Sequence, residues 1–331
     1  MCRARVDRLK SRRGVARLCF VLALLGLAGG ERQVRAEDTP TAVVDVLPNR
    51  PKVPGRLSLT LRERKAVEGN PVEGKPVADK KATRWEVTHR VAEWKASETA
   101  IIVCDMWEDH TCRMSAHRVN VLAPVMNRIV SRARELGVLV IHAPSSGMEH
   151  YERTPQRLRM KQAKLATPPF PLEGWCYLDP EREAPYPIPY SHQVVDACDD
   201  PVYAGDVKTS RKQHPAIEIV GYDGVSDSGV EIFNLFEQEG IKNVVLMGVH
   251  THYCVLGRSF GIRQMVRLGK NVVLARDLTD AMYDPRKPPY VSHARGTELA
   301  VEHVETYWCP SILGDDLTRV VEGSADAEPG K

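Results

Sequence analysis

The stretch Val245-Leu-Met-Gly-Val-His-Thr-His-Tyr-Cys254-Val255 joins an apolar strand to a short turn and a cysteine. The pattern predicts that the strand ends at Gly248-Val249 and that Cys254 lies in the first turn of a helix. A thiol there is near the positive end of the helix dipole and near free backbone N–H groups, which favour the thiolate and can hold an oxyanion. Cys254 is therefore a candidate nucleophile. The alternatives are a buried apolar cysteine or one half of a disulfide.

The segments around this stretch predict an α/β fold. Thr99-Ala-Ile-Ile-Val-Cys-Asp105 is an apolar run of strand length that ends in an acid. Three helical stretches end at Gly137, Gly240 and Gly269, each just before an apolar strand, and glycine is the expected cap there. This alternation predicts a doubly wound, mostly parallel sheet with helices on both faces. Ligands bind at the carboxyl ends of such strands, where Asp105 and Cys254 are expected.

A third candidate, Lys212, lies in Ser210-Arg-Lys-Gln-His214. With Asp105, Lys212 and Cys254 in this order, and with the loop at 221–229, the chain resembles the isochorismatase-like cysteine hydrolases, and within them the nicotinamidase branch. The resemblance covers roughly residues 97–310. It implies a triad of Asp105, Lys212 and Cys254, with Lys208 as a weaker candidate for the lysine. An ordinary ion pair between Asp105 and Lys212 is the alternative.

The activity that the resemblance implies is hydrolysis of a C–N bond, other than a peptide bond, in a small amide. Asp105 would take the thiol proton, and a thioester would form on Cys254. The backbone N–H groups of His250 and Cys254 would form the oxyanion hole, with a cis peptide between Val249 and His250. The alternatives are a non-catalytic small-molecule binding module and an ether-hydrolysing member of the same fold.

The substrate pocket is expected to include Trp107, His252 and Trp175, although His252 could equally be a simple turn residue. Nicotinamidases carry an Asp-x-His metal motif after the second strand, and this motif is absent here. The chain has only His142, Glu149 and His150 in that region. We therefore expect no metal and no cofactor.

The N-terminus has the pattern of a secretory signal peptide. A basic start precedes the apolar run 18–29 and the cleavage-like Val34-Arg-Ala36. An uncleaved membrane anchor is the alternative. Residues 1–36 contain nine of the 46 basic and two of the 43 acidic residues, so the remainder has a net charge of −4. We expect a periplasmic or secreted protein with no nucleic acid partner, no membrane association after cleavage and the possibility of a homo-oligomer.

Three further segments are expected after the signal peptide at 1–36. Residues 37–96 form a small N-terminal β extension, in which Leu57, Leu59 and Leu61 alternate with polar residues. Residues 97–315 form the hydrolase domain, and residues 316–331 form a tail. The long connection 144–211 within the domain is expected to be a lid rather than a decorative surface loop.

Six cysteines follow the signal peptide, and some of them could pair in an exported protein. They are Cys104, Cys112, Cys176, Cys198, Cys254 and Cys309. We expect Cys176 and Cys198 to pair because they flank a Pro-rich stretch. Cys254 should stay free if it is catalytic.

Overall fold

The computed structural model describes residues 47–68, 83–191, 193–205 and 207–325. The predicted signal peptide and the end of the predicted tail lie outside these residues. Within them, no helix is both long and apolar enough to cross a bilayer.

One eight-stranded sheet organises the described chain, in the order β2-β1-β8-β7-β6-β3-β4-β5. The strands are β1 (Arg56–Glu68), β2 (Thr83–Lys95), β3 (Thr99–Cys104), β4 (Leu139–Ala143), β5 (Gly224–Val225), β6 (Asn243–Val249), β7 (Asn271–Asp280) and β8 (Ser311–Ile312). The six strands from β8 to β5 are parallel, and β1 and β2 are antiparallel to their neighbours.

Helices cover both faces of the sheet. They are α1 (Arg113–Glu135), α2 (Pro155–Gln162), α3 (Val194–Ala197), α4 (Gly229–Glu239), α5 (Ile262–Arg267) and α6 (His293–Tyr307). The buried side chains of β3 alternate between two cores: Ile101 and Val103 pack with α1, whereas Ile102 and Cys104 pack with α4, α5 and α6. The predicted doubly wound α/β fold is confirmed.

The β1–β2 hairpin extends the sheet. Leu57, Leu59 and Leu61 are buried against the α1 side, as their alternation predicts. On the opposite face of β1, Arg62 Nε donates to Glu305 Oε1 of α6 at 2.7 Å. Arg62 also pairs with Ser311 of β8, which joins the hairpin to the parallel strands.

The ends of two helices have clear local causes. Ser228 caps α4 by accepting from Glu231 N–H, and Gly240 ends the helix in the left-handed region at φ 70°, as the sequence predicts. At the start of α1, the Asp200 carboxylate accepts from the backbone N–H groups of Arg113 and Met114. Pro124 lies inside this helix.

Candidate active site

The carboxyl ends of β3 and β6 bring Asp105 and Cys254 to one edge of the sheet. The two strands are paired in parallel, with Cys104 opposite Gly248. A Cβ on Gly248 would lie 2.0 Å from Cys104 O, and Gly248 has φ 110°, so this close approach requires glycine. Asp105 follows β3 directly, and Cys254 follows β6 after a short turn.

Asp105 is held rigidly. It is 1% exposed and adopts φ 48°, a region that few residues other than glycine, asparagine and aspartate visit. Its Oδ1 accepts from Ser145 N–H at 2.7 Å. Its Oδ2 accepts from Arg258 Nη2 at 3.2 Å and from Nε at 3.3 Å. Both carboxylate oxygens therefore have a fixed direction.

The Cys254 thiol interacts with both members of this pair. Burial raises the pKa of Cys254, the Asp105 carboxylate raises it further, and Arg258 opposes the rise. The prediction that a helix dipole would favour the thiolate is wrong. Thr251–Val255 forms a single π-helical turn, and the regular helix α5 begins only at Ile262. The resting group is a thiol, so attack on a substrate needs a base, and Asp105 is beside it.

Arg258, which the sequence analysis did not single out, supplies the positive charge at this site. Burial lowers the pKa of its guanidinium, but Asp105 and Cys254 raise it by a larger amount. The residue is four positions after Cys254, about one helical turn, which is the spacing that puts two side chains on one face. That spacing is the signal by which it could have been found.

Lys212 does not join the other two predicted triad residues, and this corrects the prediction. Its side chain is exposed, whereas Gln213 is buried and Arg211 lines the cavity beside Cys254. Gln213 forms an isolated bridge with Trp107 just after β3, and the chain bends at Lys212, where the lysine side chain is left exposed. The side chain of Lys208 is also exposed.

A cavity of about 470 Å³ opens onto Cys254. Trp107 and Trp175, both expected in the pocket, line it, and Tyr190 and Tyr253 form further aromatic walls. Trp175 and Tyr190 come from the connection 144–211. The part of that connection between Trp175 and Ala197 forms one side of the cavity.

The nucleophile turn carries the two predicted histidines, and they have different surroundings. His250 lines the cavity, its Nε2 lies 2.6 Å from Ser115 Oγ, and the Val249–His250 peptide is cis as the resemblance implies. His252, expected in the pocket, is not among its lining residues. Its ring is 1% exposed and packs against the rings of Tyr253 and Tyr186. The helical turn directs it away from the cavity.

The predicted pairing of Cys176 with Cys198 is wrong, because all six described cysteines are free. Cys176 Sγ donates to Gln264 Oε1 at 3.0 Å, whereas Cys198 Sγ accepts from Asp200 N–H. The irregular course of the connection takes the two residues to different parts of the domain.

Among the described residues, one group could hold a metal ion, and it does not include His142, Glu149 or His150. The ligand atoms of Cys112, Cys198 and Asp200 all lie within 4.8 Å of one another. His142 is not available as a ligand: its Nδ1 lies 3.0 Å from Gln213 Oε1 and its Nε2 lies 3.0 Å from Asp223 Oδ2.

Among the comparisons with known proteins, only the one with solved structures gives matches. No protein-family model matches the chain, and no curated protein is significantly similar to it in sequence. Several of the matched solved structures are named as cysteine hydrolases, isochorismatases or isochorismatase-like hydrolases. A cysteine hydrolase from Pseudomonas syringae is 15% identical, with 68% of this chain and 92% of that chain covered and a TM-score of 0.42.

Two other matches are of the same kind. An isochorismatase-like hydrolase from Alkaliphilus metalliredigens is 14% identical, with 68% and 98% of the two chains covered and a TM-score of 0.39. An isochorismatase family protein from Burkholderia thailandensis is 16% identical, with 70% and 96% covered and a TM-score of 0.36. At these identities and scores, the likeness by itself assigns no activity to this chain.

The buried histidines predict a loss of stability on acidification. Burial lowers the pKa of His252 to about 3, and burial together with Arg211 lowers the pKa of His110 to about 4. An unfolded histidine titrates near pH 6.5, so below that pH the unfolded chain binds protons that the folded chain does not. The free energy of unfolding should therefore fall as the pH drops from about 6.5 towards about 4.

Thermal unfolding between pH 7 and pH 4.5 measures this effect. His252→Phe, which keeps a ring among aromatic neighbours, should flatten the dependence of Tm on pH. His117→Phe is the matched control, because the His117 side chain is exposed. An unchanged slope in the His252 variant would contradict the assignment.

Proposed function

We propose that the protein is a cysteine hydrolase of the isochorismatase-like family that cleaves a C–N bond in a small amide. The observation that carries the proposal is the Cys254 thiol facing the Asp105–Arg258 pair inside an aromatic-lined cavity. A nucleophile, a base within reach and a third group that orients the base are the recurring parts of covalent catalysis.

In the proposed reaction, Asp105 takes the thiol proton and the Cys254 sulfur attacks the amide carbonyl carbon. The backbone N–H groups of His250 and Cys254 would donate hydrogen bonds to the oxyanion. Asp105 then returns the proton to the leaving nitrogen, the C–N bond breaks and an amine or ammonia departs. Water, activated by Asp105, attacks the thioester, releases the acid and restores the thiol.

Arg258 takes the part that the resemblance gives to a lysine. Its guanidinium keeps its proton at every physiological pH, so it can hold Asp105 in place and offset negative charge at the sulfur but cannot transfer a proton. Asp105 therefore carries all the proton transfers in this scheme.

A non-catalytic binding module is the second candidate, and the raised pKa of Cys254 favours it, since a resting thiolate would be more reactive. A panel of primary amides, with ammonia release as the readout, separates the two candidates. Ammonia release that disappears when Cys254 is alkylated supports the hydrolase. Binding of the same amides without turnover supports the module.

Hydrolysis should survive prolonged treatment with EDTA. The two nitrogens of His142 are occupied, and His150 lies on the surface next to Glu149, so these histidines do not form a metal site at the nucleophile. Activity should remain within about twofold, with metal content followed by elemental analysis. Loss of activity that Zn²⁺ or Fe²⁺ restores would contradict the scheme.

We also propose that the protein is exported, on the basis of the basic and apolar N-terminus. The mature chain should begin near Glu37. N-terminal sequencing of the protein recovered from outside the cytoplasm tests this.

A further inference from the structure

The cavity that holds the nucleophile contains more positive than negative charge. Two guanidinium groups, those of Arg211 and Arg258, line it. The Asp105 carboxylate is already paired, with one oxygen on Arg258 and the other on the Ser145 N–H. Among the residues that the structure describes, no carboxylate forms an ion pair with Arg211 and no acceptor bonds to its side chain.

Arg211 is held in this position by a ring. Its guanidinium carbon lies 4.0 Å from the centroid of Trp107, a cation–π contact that fixes the plane of the group. The side chain is half-buried, and desolvation lowers its pKa, although the charges of Asp105 and Asp109 oppose the fall. A partly desolvated guanidinium is stabilised by any anion that contacts it.

Neighbouring donors also lack acceptors. Trp107 is 8% exposed and lines the cavity, and its indole N–H is buried with no hydrogen-bond partner. His110 also lines the cavity, and its Nδ1 accepts from Cys112 N–H, which leaves Nε2 to carry the proton of the neutral ring. The side chains of Arg211, Trp107 and His110 thus line one space.

We infer that the Arg211 guanidinium, held against the Trp107 ring, binds a carboxylate of the substrate while the scissile amide lies at Cys254. The guanidinium fork fits a carboxylate with two parallel hydrogen bonds. A cavity of about 470 Å³ is in the range that holds small molecules, and its aromatic walls suit the apolar spacer between the two groups. The substrate class is therefore a small amide that carries a carboxylate, such as the monoamide of a dicarboxylic acid. This inference rests on the proposed function.

The test compares monoamides of dicarboxylic acids, with spacers of different length, against their methyl esters. Each pair has the same amide and nearly the same size, and only the acid is charged. We expect kcat/KM for the best acid to exceed that of its ester by about 10-fold to 150-fold, which is the range for hydrogen bonds to charged groups. Arg211→Met should remove this preference, so that kcat/KM for the acid falls to about that of its ester in the same variant. Arg153→Met, which removes an exposed arginine of the same connection, should keep the preference.

Three outcomes separate the inference from the proposed function. If acids and esters are hydrolysed equally, or if Arg211→Met lowers both equally, the inference is overturned and the hydrolase remains. If no amide is hydrolysed, the proposed function fails, and quenching of tryptophan fluorescence by the same acids decides the inference. Binding of the acids that is lost in Arg211→Met supports the carboxylate site; no binding, or binding unchanged in the variant, overturns it. Circular dichroism of each variant verifies the fold.

Discussion

Cys254→Ala is expected to lower kcat by at least about 10⁴-fold, because no thioester can form without the sulfur. Ammonia release measures the loss. Intact mass after incubation with a slow substrate should show an acyl adduct on the unaltered protein and none on the variant. The fold should be retained, since the substitution removes one atom from the wall of a cavity.

Cys309→Ala provides the matched control for this experiment. It also removes a free and buried thiol, but that thiol packs in the core with α6 and is not among the residues that line the cavity. The activity of Cys309→Ala should stay within about twofold of that of the unaltered protein. Full activity in the Cys254 variant would exclude covalent catalysis at that residue.

The second large effect is expected at the Asp105–Arg258 pair. Asp105→Asn should lower kcat by about 10³-fold, because the amide cannot accept the thiol proton. Asparagine tolerates φ 48°, so the backbone at that residue can keep its conformation. Asp227→Asn is the control, since Asp227 Oδ2 accepts from Ser146 N–H at 3.0 Å in much the same way that Asp105 accepts from Ser145.

Arg258→Met should cause a loss of similar size, and the double variant with Asp105→Asn should be hardly worse than either single variant. Residues that act as one unit show such non-additive losses. Lys212→Met should change kcat by less than about threefold, because the lysine side chain is exposed. A large loss in Lys212→Met together with a small loss in Arg258→Met would restore the triad that the resemblance implies. Additive losses at Asp105 and Arg258 would indicate an ion pair that is only structural.

The positions of Asp105 and Cys254 could be predicted because each follows a strand whose apolar run is unmistakable. Neighbouring parallel strands end at the same edge, so two strand ends sufficed to bring the acid and the thiol together. The identity of the cation could not be predicted in this way. Arg258 follows the nucleophile turn and reaches Asp105 from there, whereas Lys212 lies on another segment with its side chain exposed.

The pKa of the Cys254 thiol and the pairing of the cysteines could not be predicted from the sequence either. The pKa of Cys254 depends on how deeply the turn is buried and on how near Asp105 is, and neither is visible in the local pattern. Cys176 and Cys198 belong to a connection with few regular elements, where no periodicity indicates which residues meet. In such a segment, proximity along the chain does not predict contact.

The β1–β2 hairpin has a consequence for anyone who wishes to trim this protein for expression. A version that begins at residue 97 would look like the minimal catalytic unit, since Asp105 and everything after it remain. It would, however, lose Leu57, Leu59 and Leu61 from one core and uncover the partner edge of β8. Burial of a leucine side chain contributes about 1.5–3 kcal/mol, so the three together approach the whole stability of an ordinary domain. The practical start of a shortened protein lies before the hairpin.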